Sequence, residues 1–186
     1  MIYALLDKEA LTKKGLSLMA LAKKIQKLDV PLAQYRNKSG SLEEKTLDLQ
    51  TIRKFYHGTL IINDTIELIE HADGLHIGQE DIRNYSKDLN QAIRLIRQKI
   101  GSKRLGLSTH NREEILEANS LDLDYIGLGA YRGTKTKEEA KVLGEEAITL
   151  AKLSKHPVGL IGGVKQSDDF PSQISYRVIG SDLYED

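Results

Sequence analysis

Two kinds of apolar patterning alternate along the chain. Short apolar runs occupy residues 2–6, 31–35, 59–62, 74–77, 105–107, 125–128, 158–161 and 176–179, each bounded by polar or turn residues. Most are apolar without alternation, the pattern of parallel strands covered on both faces. Between several of them the period lengthens to that of a helix. Leu18, Leu21, Ala22, Ile25 and Leu28 share one face. So do Leu89, Ala92, Ile93, Ile96 and Ile100, and again Leu143, Ala147, Leu150 and Ala151. Residues 42–56 also read as helical, with Ser41 as the N-cap.

Strand then helix, repeated about eight times, predicts an α/β protein of the (β/α)₈ TIM-barrel class, with residues 1–186 as one domain. The chain is a little shorter than the usual lower bound of roughly 200 residues for such barrels. Something must therefore be trimmed. Residues 165–175, after the seventh strand, are few and contain Pro171. The chain stops at Asp186, soon after the eighth strand, so the barrel is expected to be shortened at its C-terminus. An open doubly wound sheet, which needs fewer strands, is the alternative.

Charge adds a constraint. Lys plus Arg is 27 and Asp plus Glu is 27, so the formal net charge is zero. General affinity for nucleic acid or membrane is not expected, and any anion must be bound by a local cluster. The absence of cysteine removes thiolate chemistry and sulfur-based zinc sites, and fits a reducing cytoplasm. Asp7, Lys8 and Glu9 come too early for a signal peptide. No apolar run approaches the roughly 18–20 residues of a membrane span. Homo-oligomerisation stays open.

In a barrel of this class the chemistry gathers where strands end. After the second strand stand Gln34, Arg36 and Lys38; the two cations are two residues apart and project the same way in an extended segment. They suit a phosphate or diphosphate, or simply a solvated loop. Asn63 and Asp64 follow the third strand, where they could cap the next helix. His76, Gln79 and Asp81 follow the fourth; Asp81 could pair with Asp64 as a Mg²⁺ site, and His76 is either a core or a functional histidine. Ser108 and His110 follow the fifth, with His110 either a general base or a capping residue. After the sixth come Thr134, Thr136 and Lys137, just before the acids Glu138 and Glu139 that open a predicted helix. Gly162–Gly163 follows the seventh strand and Gly180–Ser181 the eighth, at the loops where barrels usually take a phosphate.

Several words of the chain resemble the thiamine phosphate synthase/TenI family. They are QYRNK, IIND, ADGLHIGQEDI, LGLSTHN, DYIGLGAYRGTKTKEEA, GLIGGV and VIGS, and they run through nearly the whole chain. The resemblance implies a (β/α)₈ barrel that joins hydroxymethylpyrimidine diphosphate to a thiazole phosphate and releases diphosphate. It implies that Gln34, Arg36, Lys38 and Asn63 contact the pyrimidine diphosphate, and that Asp64 and Asp81 ligate Mg²⁺. Ser108 and Lys137 would hold the departing diphosphate. Thr134, Thr136, Gly163, Gly180 and Ser181 would hold the thiazole phosphate. His76, Gln79 and His110 stand among these words and count with the substrate-contacting candidates. The implied partners are phosphorylated small molecules, and the implied cofactor is Mg²⁺.

The chain departs from the family word at residues 130–133, where Ala-Tyr-Arg-Gly stands in place of an apolar, proline-stiffened stretch. That loop is expected to be more flexible and more basic. The segment between Asp81 and Ser108 is longer than usual, read as a longer fourth helix. A thiazole tautomerase using His110 as base, and a non-catalytic phosphate-ligand binder, are the rival functions.

Overall fold

The structure, a computed structural model, describes residues 1–133 and 142–184. Eight parallel strands close into a barrel in sequence order. They are β1 (Ile2–Asp7), β2 (Leu32–Arg36), β3 (Thr59–Asn63), β4 (Gly74–Ile77), β5 (Arg104–Thr109), β6 (Tyr125–Leu128), β7 (Val158–Leu160) and β8 (Ile174–Ile179). β8 pairs back onto β1 through Ile2↔Arg177 and Ala4↔Ile179, so the sheet has no edge. The open-sheet alternative is thereby excluded.

Among the described residues the helices are α1 (Lys8–Lys13), α2 (Leu18–Lys27), α3 (Leu42–Phe55), α4 (Gln79–Ile82), α5 (Leu89–Ile100), α6 (Arg112–Ala118), α7 (Glu146–Ala151) and α8 (Ser181–Tyr184). A 3-10 segment, Ile66–His71, links β3 to β4. Ser41 Oγ accepts from the Glu44 amide and caps α3, as its sequence position predicts. In α5 every residue of the predicted face is buried. Leu28 departs from its predicted face: it sits at the end of α2 and is half exposed. Leu143 is buried but precedes α7. The expected long fourth helix is instead two helices. α4 is a single turn, residues 83–88 interrupt it, and Asp88 caps a fresh start at α5 through the Gln91 amide. Among the described residues no helix is long and apolar enough to cross a membrane.

Two packed layers follow from the period-two geometry of strands. One set of strand residues, including Ala4, Leu6, Ala33, Leu60, Ile62, Leu75, Leu107 and Ile126, packs with the helices in one large core. The other set turns to the barrel axis. There Tyr3, Leu32, Ile61, Tyr125 and Val178 form a second cluster, with Leu5, Ile161 and Tyr176 against it. Tyr3, Tyr125 and Tyr176 meet edge to face, with ring centroids 5.8–6.1 Å apart.

Rings of this size fit only because their neighbours lack side chains. A Cβ on Gly106 would stand 2.2 Å from Tyr125 Cζ, and one on Gly127 would stand 3.0 Å from His76 Cε1. Gly106→Ala is therefore expected to destabilise the barrel by about 1–3 kcal/mol, as overpacking does. A lowered urea midpoint at unchanged slope would report it; an unchanged midpoint would mean that the interior has slack.

Candidate active site at the C-terminal mouth of the barrel

The strand ends open onto a cavity of about 490 Å³. Gln34, Arg36, Lys38, Asn63, Asp64, His76, Gln79, Asp81, Ser108, His110, Gly163, Gly180 and Ser181 all line it. Thr134, Thr136, Lys137 and the helix start at Glu138–Glu139 lie outside the described residues.

The β1–β2 side carries the basic groups. Asp7 and Arg36 are register partners at the ends of adjacent strands, so their side chains leave the barrel together. Arg36 Nη1 donates to Asp7 Oδ2, and Glu9 Oε2 lies 3.6 Å away. Asp7 is 2% exposed and also caps α1 through the Ala10 amide. Its own amide donates to Tyr184 Oη, which in turn donates to the Leu5 carbonyl. Arg36 is thus locked in direction by a buried carboxylate, while Lys38 is exposed at the rim. Asp7 also lines the cavity and was missed in sequence. The available signal was its place at the end of β1, matching Arg36 at the end of β2.

The β3–β4 side carries the acids. Asp64 has φ +55, in the left-handed region that a non-glycine residue occupies at a cost. Neither Asn63 nor Asp64 caps the following 3-10 segment, which begins without a side-chain cap. Instead Asp64 Oδ1 accepts from the Gly78 amide at 2.9 Å, and Asn63 Nδ2 donates to Asp64 Oδ2. Asp81 comes to the same place. From the point where a Cβ on Gly78 would stand, Asp81 Oδ2 is 2.9 Å away and Asp64 Oδ1 is 3.8 Å away. A side chain at Gly78 would press on the Asp81 carboxylate and come within contact range of Asp64.

This donor set suits Mg²⁺. Among the described residues no group of three His, Cys, Asp or Glu side chains converges, so the protein offers two carboxylates rather than a complete cage. Mg²⁺ is typically held in that way, with phosphate oxygens and water filling its other positions.

Ser108 is the next-to-last residue of β5, with Oγ 3.0 Å from His76 Nε2. His76 is buried and its Nδ1 lies 3.1 Å from Tyr125 Oη, so it is both a core histidine and a cavity wall. Gln79 Nε2 donates to the Ser108 carbonyl, while its buried Oε1 has no partner among the described residues. His110 does not cap α6; Asn111 does, through the Glu114 amide. Glu114 reaches back, accepting from the His110 amide at 2.8 Å and standing 3.0 Å from His110 Nδ1.

The stretch at residues 129–133 is tied down rather than loose. Tyr131 and Arg132 amides donate to the Ile161 and Gly162 carbonyls. The Tyr131 ring packs edge-on against Phe170, and its hydroxyl donates to Glu145. Arg132 makes a two-pronged pair with Asp168 at 2.6 and 3.0 Å, and donates to the Gly163 carbonyl. Its charge is therefore matched, which corrects the expectation of a more basic loop. The glycines just after β7 serve this contact. Gly162 and Gly163 have φ +97 and +60, and Cβ atoms there would stand 2.7 Å from Ala130 Cβ and 2.8 Å from Arg132 Cβ.

A parallel barrel whose C-terminal mouth gathers cations, paired carboxylates and glycine-lined loops defines a class: TIM-barrel enzymes acting on phosphorylated small molecules. The model of the family described as Thiamine monophosphate synthase (TMP-TENI) matches residues 2–170, and the chain belongs to that family. It is 32% identical over 182 residues to thiamine-phosphate synthase of Dictyoglomus thermophilum, covering 89% of this chain and 78% of that protein. It is 36% identical over 141 residues to the synthase of Persephonella marina, covering 73% of this chain and 64% of that one, just under two thirds of its length. A thiamine phosphate pyrophosphorylase structure from Pyrococcus furiosus shares the fold, with a TM-score of 0.76 at 21% identity over 97% of this chain and 85% of that one.

The Arg132–Asp168 pair has a pH signature. The hydrogen bond from Arg132 holds the Asp168 carboxyl below its ordinary range. Because the folded-state pKa is the lower one, the stabilisation is present above the ordinary aspartate range, near about pH 4, and is lost as pH falls further. Wild type is expected to be more stable than Asp168→Asn at neutral pH, with the gap closing below about pH 4. Urea midpoints across pH would show it; a gap independent of pH would contradict it.

Proposed function

We infer that this protein is a thiamine-phosphate synthase: a transferase that joins hydroxymethylpyrimidine diphosphate to a thiazole phosphate and releases diphosphate. The family membership supports the reaction. The observation that carries it into this chain's own residues is the meeting of Asp64 and Asp81 around Gly78, in the same cavity as Arg36, Lys38 and Ser108. A cytoplasmic setting belongs to the same reading.

The chemistry asks for charge and position more than for acid–base groups. The bond between the pyrimidine methylene and the diphosphate oxygen breaks, leaving a cationic methylene that the thiazole nitrogen attacks. Asp64 and Asp81 would hold Mg²⁺, which when bound supplies Lewis-acid neutralisation of the departing diphosphate. Arg36, aimed by Asp7, and Lys38 at the rim would bind the same diphosphate oxygens, with Lys137 joining them. Gln34 and Asn63, with His76 and Gln79 as walls, would orient the pyrimidine. Thr134, Thr136, Gly163 and the amides near Gly180 and Ser181 would take the thiazole phosphate and keep its nitrogen in line. Two substrates held in register account for catalysis without a covalent intermediate.

Incubation with both substrates and Mg²⁺ is expected to yield thiamine phosphate and diphosphate in equal amounts. Asp64→Asn and Asp81→Asn are each expected to lower turnover by about 100-fold or more, while unfolding midpoints stay within the range of surface substitutions. A folded wild-type protein with no product above background would overturn the assignment.

A tautomerase reading is favoured by one contact, the His110 Nδ1–Glu114 pair at the cavity wall, which would orient the imidazole as a general base. His110→Asn separates the two functions. It should abolish tautomerisation of a thiazole phosphate, yet lower synthase turnover far less than Asp64→Asn does.

A further inference from the structure

A hydrogen-bonded chain crosses the inside of the barrel and ends at the cavity. Gln34 Nε2 lies 2.7 Å from Tyr3 Oη, and Tyr3 Oη lies 2.8 Å from Tyr125 Oη. Tyr125 Oη lies 3.1 Å from His76 Nδ1, and His76 Nε2 lies 3.0 Å from Ser108 Oγ. Five strands contribute: β2, β1, β6, β4 and β5 in that order. Gly106 and Gly127 supply the room, since a Cβ on either would press on Tyr125 or His76. Tyr3 and Tyr125 are 1% exposed, and neither lines the cavity.

Such a chain has a direction. An amide nitrogen only donates, and each phenol has one proton to give. Tyr3 accepts from Gln34, so its proton goes to Tyr125. Tyr125 accepts from Tyr3, so its proton goes to His76 Nδ1. A neutral imidazole that accepts at Nδ1 carries its hydrogen on Nε2 and donates it to Ser108. Ser108 Oγ then has its own proton left to place. Among the described residues the Ser108 hydroxyl has no other protein partner in hydrogen-bond reach, and the cavity is what it faces. Burial pushes both phenols upward in pKa, so both keep the protons that the chain needs.

We propose that Gln34, acting through Tyr3 and Tyr125, fixes His76 as its Nε2–H tautomer and so makes Ser108 a hydrogen-bond donor toward an anionic oxygen in the cavity. The reverse direction is chemically different. Ser108 would then donate to His76 and present only lone pairs to an anion, which repel it. Tyr3 and Tyr125 are positioning residues that set the polarity of a group they do not touch. The identity of the anion as diphosphate rests on the function proposed above; the tautomer does not.

The test is ¹⁵N NMR of histidine-labelled full-length protein at neutral pH, with the His76 signals identified by loss in His76→Gln. Wild type is expected to show His76 Nδ1 unprotonated and Nε2 protonated. Gln34→Glu replaces the donor with an acceptor, so it should invert His76 to Nδ1–H. Tyr125→Phe removes the donor to Nδ1; the tautomer preference should be lost and affinity for pyrophosphate with Mg²⁺ should fall about tenfold. Tyr3→Phe serves as the second interruption if Tyr125→Phe does not fold, with the same expected loss of tautomer preference. A wild-type His76 that is Nδ1–H or imidazolium overturns the proposal, as does an unchanged tautomer in all three variants. The expected tautomers in a protein without synthase turnover would uphold the chain while sinking the proposed reaction.

Discussion

Closure of the barrel is the constraint on which the rest depends. Eight parallel strands with β8 returned to β1 leave no edge, and every second strand residue must point at a narrow axis. That interior has to be filled without overpacking. The solution is uneven: three tyrosines on β1, β6 and β8 occupy the centre, and glycines on β5 and β6 make way for Tyr125 and His76. Tyrosine is the useful choice because it brings bulk and a hydroxyl together. The buried hydroxyls of Tyr3 and Tyr125 need partners, and besides each other they find Gln34 and His76. Packing of the core and orientation of the cavity wall are therefore one problem rather than two.

Above that layer the strands end and the side chains become polar. Parallel register sets who meets whom: Asp7 stands beside Arg36, and Asn63 beside His76. The buried Asp7 carboxylate gives the guanidinium a fixed direction, at the cost of sharing its charge. On the other side of the mouth, the Asp64 and Asp81 carboxylates both reach the space that a side chain on Gly78 would need. The cavity is thus divided into a basic side and an acidic side, an arrangement suited to a metal–diphosphate pair rather than to a bare anion. The two-pronged Arg132–Asp168 pair ties the loop after β6 to the loop after β7.

Much of this was legible in the sequence, and the exceptions have physical reasons. All eight strands stand where short, mostly apolar runs predicted them, because the outward set packs under helices and the inward tyrosines also read as apolar. The same fact hid the interior chain: Tyr3 and Tyr125 look like core residues until their hydroxyls are seen to meet across 122 positions. Asp7 was hidden for a similar reason, since its partner Arg36 is 29 residues away and only strand register joins them. At residues 130–133 the sequence shows an unpaired arginine and a lost proline, whereas the structure supplies Asp168 and Phe170 from the next loop. Local pattern predicts elements well. Contacts between loops depend on closure, which no window of sequence contains.

The central claim is that this mouth binds a diphosphate through a metal held by Asp64 and Asp81. Calorimetric titration of pyrophosphate into the protein tests it most directly, with and without Mg²⁺, in wild type and in Asp81→Asn. The account predicts tight binding only when Mg²⁺ is present, and loss of that dependence in the variant. Equal affinity with and without Mg²⁺, or an Asp81→Asn protein that binds like wild type, would contradict it.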